Sequence, residues 1–388
     1  MDICSCVTMH DVMKKRYIVT AVLALALTGC SQAPKKAEKE DLYSNVSTDA
    51  GFDTVFYYQE YNADRSAAEE HFQEAVSMFS HYNALFDIYN DYEGIHNIKM
   101  INDNAGKQAV EVEEDVIEML EEAKHFYTIS DDEFDVTMGS LLHVWHNYRE
   151  DGISLNADGK KGKVPGEEEL KNAAAHRGWD AVEIDDEKNE VFIKDPSISL
   201  DVGGIAKGFA VEKIAEALTA KDDIGTVILN AGGNNRTIGV KPNGTPWKVR
   251  IQNPDGGSRM IIVSAEGSSS FVTSGDYERN YEAEDGKKYH HIIDPETLFP
   301  ASLYRSVTVI TKDSGAADCL STSLFTLTIE EGKKLLAEYE KESGDSANAV
   351  WIMPGDSEMH GDHEREHMGF KVAYTDGLQD KISFESGI

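Results

Sequence analysis

The sequence predicts an α+β fold, one domain in which mixed or antiparallel sheets are flanked by helices. Three observations carry this. Apolar residues at helical spacing dominate from about Ser66 to His176, whereas short apolar runs bounded by turn residues dominate from about Thr226 onward. The second half does not repeat a strand–helix–strand unit, which argues for hairpins over a parallel series. No Pro- or Gly-rich linker interrupts residues 48–388, so that stretch reads as one unit.

A leader stands before it. Lys14-Lys15-Arg16 precedes an apolar run from Tyr17 to Leu27, too short to span a bilayer as a stable helix but suited to the h-region of a signal peptide. The run ends in Leu27-Thr28-Gly29-Cys30, which resembles the lipobox of bacterial lipoproteins. That resemblance implies a signal peptide over residues 1–29, a diacylglyceryl anchor on Cys30, and a protein held to the extracytoplasmic face of the cell membrane. Residues 30–47 then read as the lipidated cysteine and a polar, flexible tether. Met13 offers a second possible start. Cys4 and Cys6 fall in the leader, so Cys319 is left alone, as a small buried hydrophobe rather than part of a disulfide framework.

Within the folded part, Val55-Phe56-Tyr57-Tyr58 reads as a strand. Ser66-Ala67-Ala68-Glu69 has the form of a capping box opening a helix to about residue 85, with Phe72, Val76 and Phe79 on one face. Residues 112–126 and 134–145 read as helices, 151–166 as a turn-rich stretch, and 167–176 as a further helix. An apolar strand at 197–202 runs into a glycine turn and a helix to residue 220. Strands follow at 226–229, 236–240, 248–252, 260–264, 289–293 and 306–311. Helices at 314–327 and 329–339 and strands at 349–353 and 370–374 complete the set.

The chain carries 37 basic and 70 acidic residues, a formal charge of −33. Such a field disfavours nucleic acid and anionic lipid. It also repels a polyphosphate unless a local cation compensates, which favours a bound divalent metal.

The most informative segment is Asp201-Val202-Gly203-Gly204-Ile205-Ala206-Lys207-Gly208-Phe209-Ala210. A glycine turn at a helix N-terminus exposes backbone N–H groups to an anion such as phosphate, and Lys207 adds a full charge. Asp201 repels phosphate, so it suits a hydroxyl, an amine or a metal-bound group. Asp318 and Thr322 lie four apart on a predicted helix, with both oxygens facing one way. They could ligate a hard cation such as Mg²⁺. They could equally serve the helix dipole and bond back to their own helix.

Five segments in order resemble the FAD:protein FMN transferases, the ApbE family. They are Phe134-Asp135-Val136-Thr137-Met138-Gly139, the Asp201 turn, Asn230-Ala231-Gly232-Gly233-Asn234, His291-Ile292-Ile293-Asp294-Pro295 and Ala316-Ala317-Asp318-Cys319-Leu320-Ser321-Thr322. The resemblance implies an Mg²⁺-dependent enzyme that moves FMN from FAD onto a threonine hydroxyl of another protein and releases AMP. It implies metal ligation by Asp318, Thr322 and the Gly204 carbonyl. FAD contacts are implied for Tyr89, Thr137, Met138, Gly139, Asp201, Lys207 and Ile292, with Gly139 allowing close backbone approach. His291 is the candidate general base, and Arg279, in Thr273-Ser274-Gly275-Asp276-Tyr277-Glu278-Arg279, is a candidate cation beside it. Acceptors in the family are membrane or cell-surface redox proteins with a Ser/Asp-Gly-x-Ser/Thr-x-Thr pattern.

Three departures stand out. Phe52-Asp53-Thr54 replaces the usual Met-Gly-Thr, so Phe52 is expected to stack on the flavin. Thr297-Leu298 replaces Thr-Gly, and residues 354–367, with His360, His363 and His367, read as an inserted acidic loop. Two other activities share these residues: an FAD pyrophosphatase yielding FMN and AMP, and a non-catalytic flavin-binding lipoprotein.

Overall fold

Strand-length apolar runs that are buried on both faces organise the protein. The computed structural model describes residues 40–257, 259–358 and 361–385. The leader, Cys30, most of the expected tether and His360 lie outside the described residues. The central sheet has nine strands: β1 (Asp41–Ser47), β2 (Phe56–Asn62), β3 (Thr226–Ala231), β4 (Asn234–Ile238), β5 (Ser270–Gly275), β6 (Ser306–Thr311), β7 (Asn348–Met353), β8 (His363–His367) and β9 (Phe370–Tyr374). Their spatial order is β1-β2-β3-β4-β5-β6-β7-β9-β8, and every neighbouring pair is antiparallel.

Side chains alternate across this sheet, as the pleat requires. Val272, Val307, Val309, Trp351 and Met353 face the helices. Phe271, Ile310, Val350, Ile352 and Val372 face a small sheet of Trp247–Gln252, Arg259–Ala265 and Ile382–Phe384. Coverage on both sides explains why every residue of β6 is buried and why β7 is apolar without a break from Ala349 to Met353 instead of alternating. Each such buried side chain contributes roughly 1.5–3 kcal/mol before entropy is counted.

Among the described residues are eight α-helices, α1 (Arg65–Phe86), α2 (Ile98–Asp103), α3 (Glu114–Ile129), α4 (Gly139–Ala157), α5 (Glu167–Ala174), α6 (Ala206–Thr219), α7 (Ser314–Thr326) and α8 (Ile329–Ser343), with two further small sheets of two and three strands. The architecture is the expected α+β. None of these helices is long and apolar enough to cross a membrane. Cys319 is fully buried in α7, and burial pushes its thiol well up.

Several local expectations change. The tether gives way to structure at Asp41, because β1 pairs along its full length with β2. Asp64, not Ser66, caps α1, its carboxylate accepting from Ser66 N at 2.8 Å. Residues 134–138 form a loop, and α4 runs from Gly139 to Ala157, into the first part of the stretch expected to turn, while 158–166 are turn and loop as expected. Gly152, within the stretch expected to turn, sits inside α4, with the Tyr281 ring where a Cβ would be. β5 has no counterpart in the sequence reading. Of 289–293, only Lys288–Tyr289 pairs as a strand, with an isolated bridge between Ile293 and Pro300. The inserted loop ends in β8, where His363 pairs with Asp376 at 2.9 Å and stacks on Tyr374, away from the residues discussed next.

Candidate functional site

The Asp201 segment is held open by its neighbours. It is extended without being a regular strand: Asp201 N donates to Val136 O (2.8 Å) and Gly139 N donates to Ser199 O (2.9 Å). On the other edge the Asn102 side chain stands in for a strand, accepting from Leu200 N (2.7 Å) and donating to Leu200 O (2.9 Å). The Asp201 carboxylate accepts from Gly203 N at 2.9 Å. Burial raises its pKa, and the charges of Arg149, His146 and Arg279 oppose that rise.

α6 opens directly behind the turn, and its first turn is where α7 docks. Gly208 N, a donor with no partner in its own helix, is taken by Asp318 Oδ2 at 2.9 Å. Asp318 is therefore mid-helix in α7, capping a neighbouring helix rather than its own. Burial raises its pKa, while Lys207, Gly208 N and Asn234 pull it back. Lys207 is half-buried and makes no hydrogen bond or ion pair among the described residues. A Cβ on Gly208 would sit on Ser314 O and 2.6 Å from Asp318 Cβ, which is how the two helices come so close. Gly208→Ala should destabilise the protein by about 1–3 kcal/mol through overpacking and displace Asp318. Chemical denaturation checks the first expectation, and Mg²⁺ dependence of activity the second.

Thr322 separates the two readings of the Asp318–Thr322 pair. Its neighbours bond back into α7, Ser321 Oγ to Asp318 O (3.1 Å) and Ser323 Oγ to Cys319 O (2.9 Å). Thr322, half-buried between them, makes no such bond. Its Oγ1 would lie 3.4 Å from a Cβ on Gly204. Gly204, Thr322, Asp318 and Lys207 are thus brought together. Among the described residues no three His, Cys, Asp or Glu side chains gather into a metal cage. A cation here would rest on one carboxylate, with hydroxyl, carbonyl and ligand oxygens as the remainder. That donor set is all oxygen, as Mg²⁺ requires.

The paired histidines divide their roles. His290 Nδ1 accepts from Ile292 N (3.2 Å), so its proton sits on Nε2 and is donated to Ala301 O (2.8 Å). Burial lowers its pKa to about 4. His291 has no such bonds. Its Nδ1 is buried without a partner, and burial, aided by His290, Arg279, Arg149 and Lys207, holds its pKa well below the ordinary value. Its ring is uncommitted, and its surroundings favour the neutral imidazole. Arg279, exposed and at φ 45°, acts on His291, Asp201 and Tyr89 through its charge.

Tyr89 is half exposed and stacks on His146, centroids 4.8 Å apart, with its hydroxyl 3.2 Å from His146 Nδ1. Arg149 donates to the same nitrogen at 2.8 Å. His146 and Arg149 went unnoticed in the sequence. Their spacing of three on a helix was the available signal, but it marks any helix face.

Other expected contacts point elsewhere. The Thr137 hydroxyl is fully used, donating to Asp135 Oδ1 (2.6 Å) and accepting from Gly178 N (2.6 Å). Met138 is buried in a small core with Leu141 and Trp145, and Ile292 in the main core. Gly139 does serve a close approach, but of the chain's own Ser199, whose Oγ would lie 2.6 Å from a Cβ. Phe52, at φ 55°, packs on Phe79 at 4.8 Å, and its N–H donates to Asn83 Oδ1 (2.6 Å). The ring faces a core residue, where a flavin-stacking role was expected. A surface cleft of about 790 Å³ lined by Gln108, Lys124, Glu183, Ile184 and Phe192 includes none of these residues.

A glycine turn at a helix start, an uncommitted lysine and an oxygen-donor pair are the features that suit a phosphate-bearing anionic ligand. The chain belongs to the ApbE family, whose model matches residues 52–344. It is 30% identical over 278 residues to the FAD:protein FMN transferase of Klebsiella pneumoniae (strain 342), covering 68% of this chain and 82% of the relative. It is also 30% identical over 307 residues to that of Treponema pallidum (strain Nichols), covering 75% and 79%. In three dimensions it is similar to the ApbE protein of Thermotoga maritima MSB8, with a TM-score of 0.72, 26% identity, and 88% and 99% of the two chains covered.

Proposed function

We propose that this protein transfers FMN from FAD to a threonine hydroxyl of another protein, releasing AMP, with Mg²⁺ held by Asp318, Thr322 and the Gly204 carbonyl. Thr322 carries this reading: alone of three successive hydroxyl residues it leaves its oxygen uncommitted, beside Asp318, Gly204 and Lys207. The relatives' shared name supplies the reaction.

In this scheme the acceptor Oγ attacks the FMN-side phosphorus of FAD and forms a phosphodiester. The bond from that phosphorus to the bridging oxygen breaks, and AMP leaves with the bridging electron pair. The acceptor's proton passes to His291, which burial keeps unprotonated and ready to receive it. Lys207 faces the pyrophosphate from the first turn of α6, and Tyr89 offers its exposed ring to the flavin. Bound Mg²⁺ supplies neutralisation of the charge that grows on the leaving phosphate.

Because the His291 pKa is lowered, the base is already neutral at the pH where an ordinary histidine is half protonated. The acidic limb of kcat/KM, which reports the free enzyme, should therefore lie well below pH 6.5. A limb at or above 6.5 would contradict this placement.

The leader and Cys30 put the enzyme on the extracytoplasmic face of the membrane, held by lipid. There it meets redox proteins that carry the threonine pattern; nucleic acid is not a partner. The test is to combine the protein with FAD, Mg²⁺ and a domain bearing that pattern and weigh the domain by intact mass spectrometry. A gain of one FMN, with AMP released, is expected. Free FMN and AMP with an unmodified domain would replace transfer by hydrolysis, and intact FAD would leave only a binding role.

A further inference from the structure

We propose that Asn234 is a positioning residue of the cation site, its Oδ1 accepting a hydrogen bond from a water in the cation's shell. This rests on the reading of Asp318 as a cation ligand. Asn234 is 1% exposed and opens β4 directly after the two-residue loop Gly232-Gly233, both at positive φ (53° and 98°). Such a loop suits a tight hairpin. Its backbone is fixed on both sides, opposite Ala231 of β3 and Val272 of β5. The side chain has little freedom to be anywhere else.

Its amide is oriented by charge. Nδ2 donates to Asp318 Oδ2 at 3.3 Å. Flipping the amide would set an oxygen against a carboxylate, so Oδ1 must point away from Asp318 Oδ2. That oxygen is buried and has no partner. Its neighbours in the same hairpin are different: Asn230 Nδ2 donates to Asn235 Oδ1 at 2.8 Å, and Asn235 Nδ2 to Gly233 O and Phe271 O at 3.4 Å. Buried acceptors without donors are rare and costly. A residue needed only to clamp Asp318 could have been a donor without a stranded acceptor.

The donor that fits is a metal-bound water. Mg²⁺ gives up its waters reluctantly and keeps several when held by a single carboxylate. Groups that bond such a shell typically govern metal affinity by 10–100-fold. Asn234 thus contributes twice, orienting Asp318 through Nδ2 and the hydrated cation through Oδ1.

Mn²⁺ is the probe. It is titrated into the full protein with ADP as an unreactive pyrophosphate, and free Mn²⁺ is counted by electron paramagnetic resonance. Asn234→Ala should weaken Mn²⁺ binding about tenfold. Asn234→Asp keeps an acceptor oxygen but loses the donor, and should bind within about threefold of the unmodified protein, or more tightly. If Asn234 only clamps Asp318, both variants lack the needed N–H and Asn234→Asp will bind as weakly as Asn234→Ala. That result, or unchanged binding in Asn234→Ala, overturns the proposal. Should Asn234→Ala not fold, the Asn234→Asp titration decides alone: binding more than threefold weaker than that of the unmodified protein overturns it. Asp318→Asn is the control. Its loss of Mn²⁺ binding keeps the parent reading whatever Asn234 does, whereas unmodified protein that binds no Mn²⁺ removes both.

Discussion

Asp318→Asn should cut Mg²⁺-dependent FMN transfer by about 10²–10³-fold, the scale on which preorganised charge matters in an active site. The same variant should leave the metal-free protein at least as stable as before. The two expectations come from one observation. Asp318 is 5% exposed, and burial raises its pKa. A carboxyl whose folded pKa is raised binds its proton more tightly when folded. Its contribution is therefore favourable at low pH, fully present below the unfolded value near 4, and is lost as pH rises from there through the raised folded value. Above the unfolded value the buried carboxyl costs the fold stability, an effect only partly offset by Lys207, Gly208 N and Asn234. Asparagine keeps the shape and an acceptor oxygen for Gly208 N but removes that cost. It also removes the charge a cation needs. Melting curves with and without Mg²⁺ check this: the Mg²⁺-dependent rise should vanish in the variant while the metal-free midpoint holds or increases. Full activity at saturating Mg²⁺ would refute the ligand assignment, and a large fall in the metal-free midpoint would show Asp318 to be structural.

Candidate site residues were easier to pick out in the sequence than the scaffold that holds them. Asp201, Gly204, Lys207, Asp318 and Thr322 stood out as candidates through a glycine turn, an oxygen pair and the resemblance to the ApbE family, and the structure brings Gly204, Lys207, Asp318 and Thr322 together. What stayed hidden depends on long-range contacts. β5 is only six residues long and is defined by pairing with β4 and β6. Residues from 151 on were expected to turn, yet Gly152 is helical, and its missing Cβ leaves room for the Tyr281 ring from far along the chain. Residues 197–202 read as a strand and are extended, but their partners are a side chain and a loop. Side-chain direction was equally out of reach. Gly139 and Thr137 belong to a recognisable motif, yet Ser199, Asp135 and Gly178 consume what they offer. A motif fixes which residues are near a site more reliably than which atoms face it.

His291→Ala should lower kcat by about 10²–10⁴-fold, the usual worth of a general base, and change FAD affinity little. The structure makes this sharper than the adjacent His290 would allow by itself. His290 spends both ring nitrogens on Ile292 N and Ala301 O, so its loss would disturb the loop around residue 301. His291 spends neither. Its replacement removes a proton acceptor without removing a structural bond, and added imidazole should restore part of the rate. Stability offers a second readout. His291 is kept neutral in the fold, whereas in the unfolded chain it takes a proton near pH 6.5. Between that value and its lower folded pKa the unfolded state binds more protons, so folding weakens as pH falls through this window. Removing His291 should flatten that decline, leaving the similar but separate contribution of His290, whose folded pKa is about 4. Denaturation midpoints measured from pH 7.5 to 5 (bracketing the ordinary histidine value) check the slope. An unchanged slope together with an unchanged kcat would remove His291 from the mechanism. A flattened slope with full activity would leave it a buried histidine that serves no chemistry.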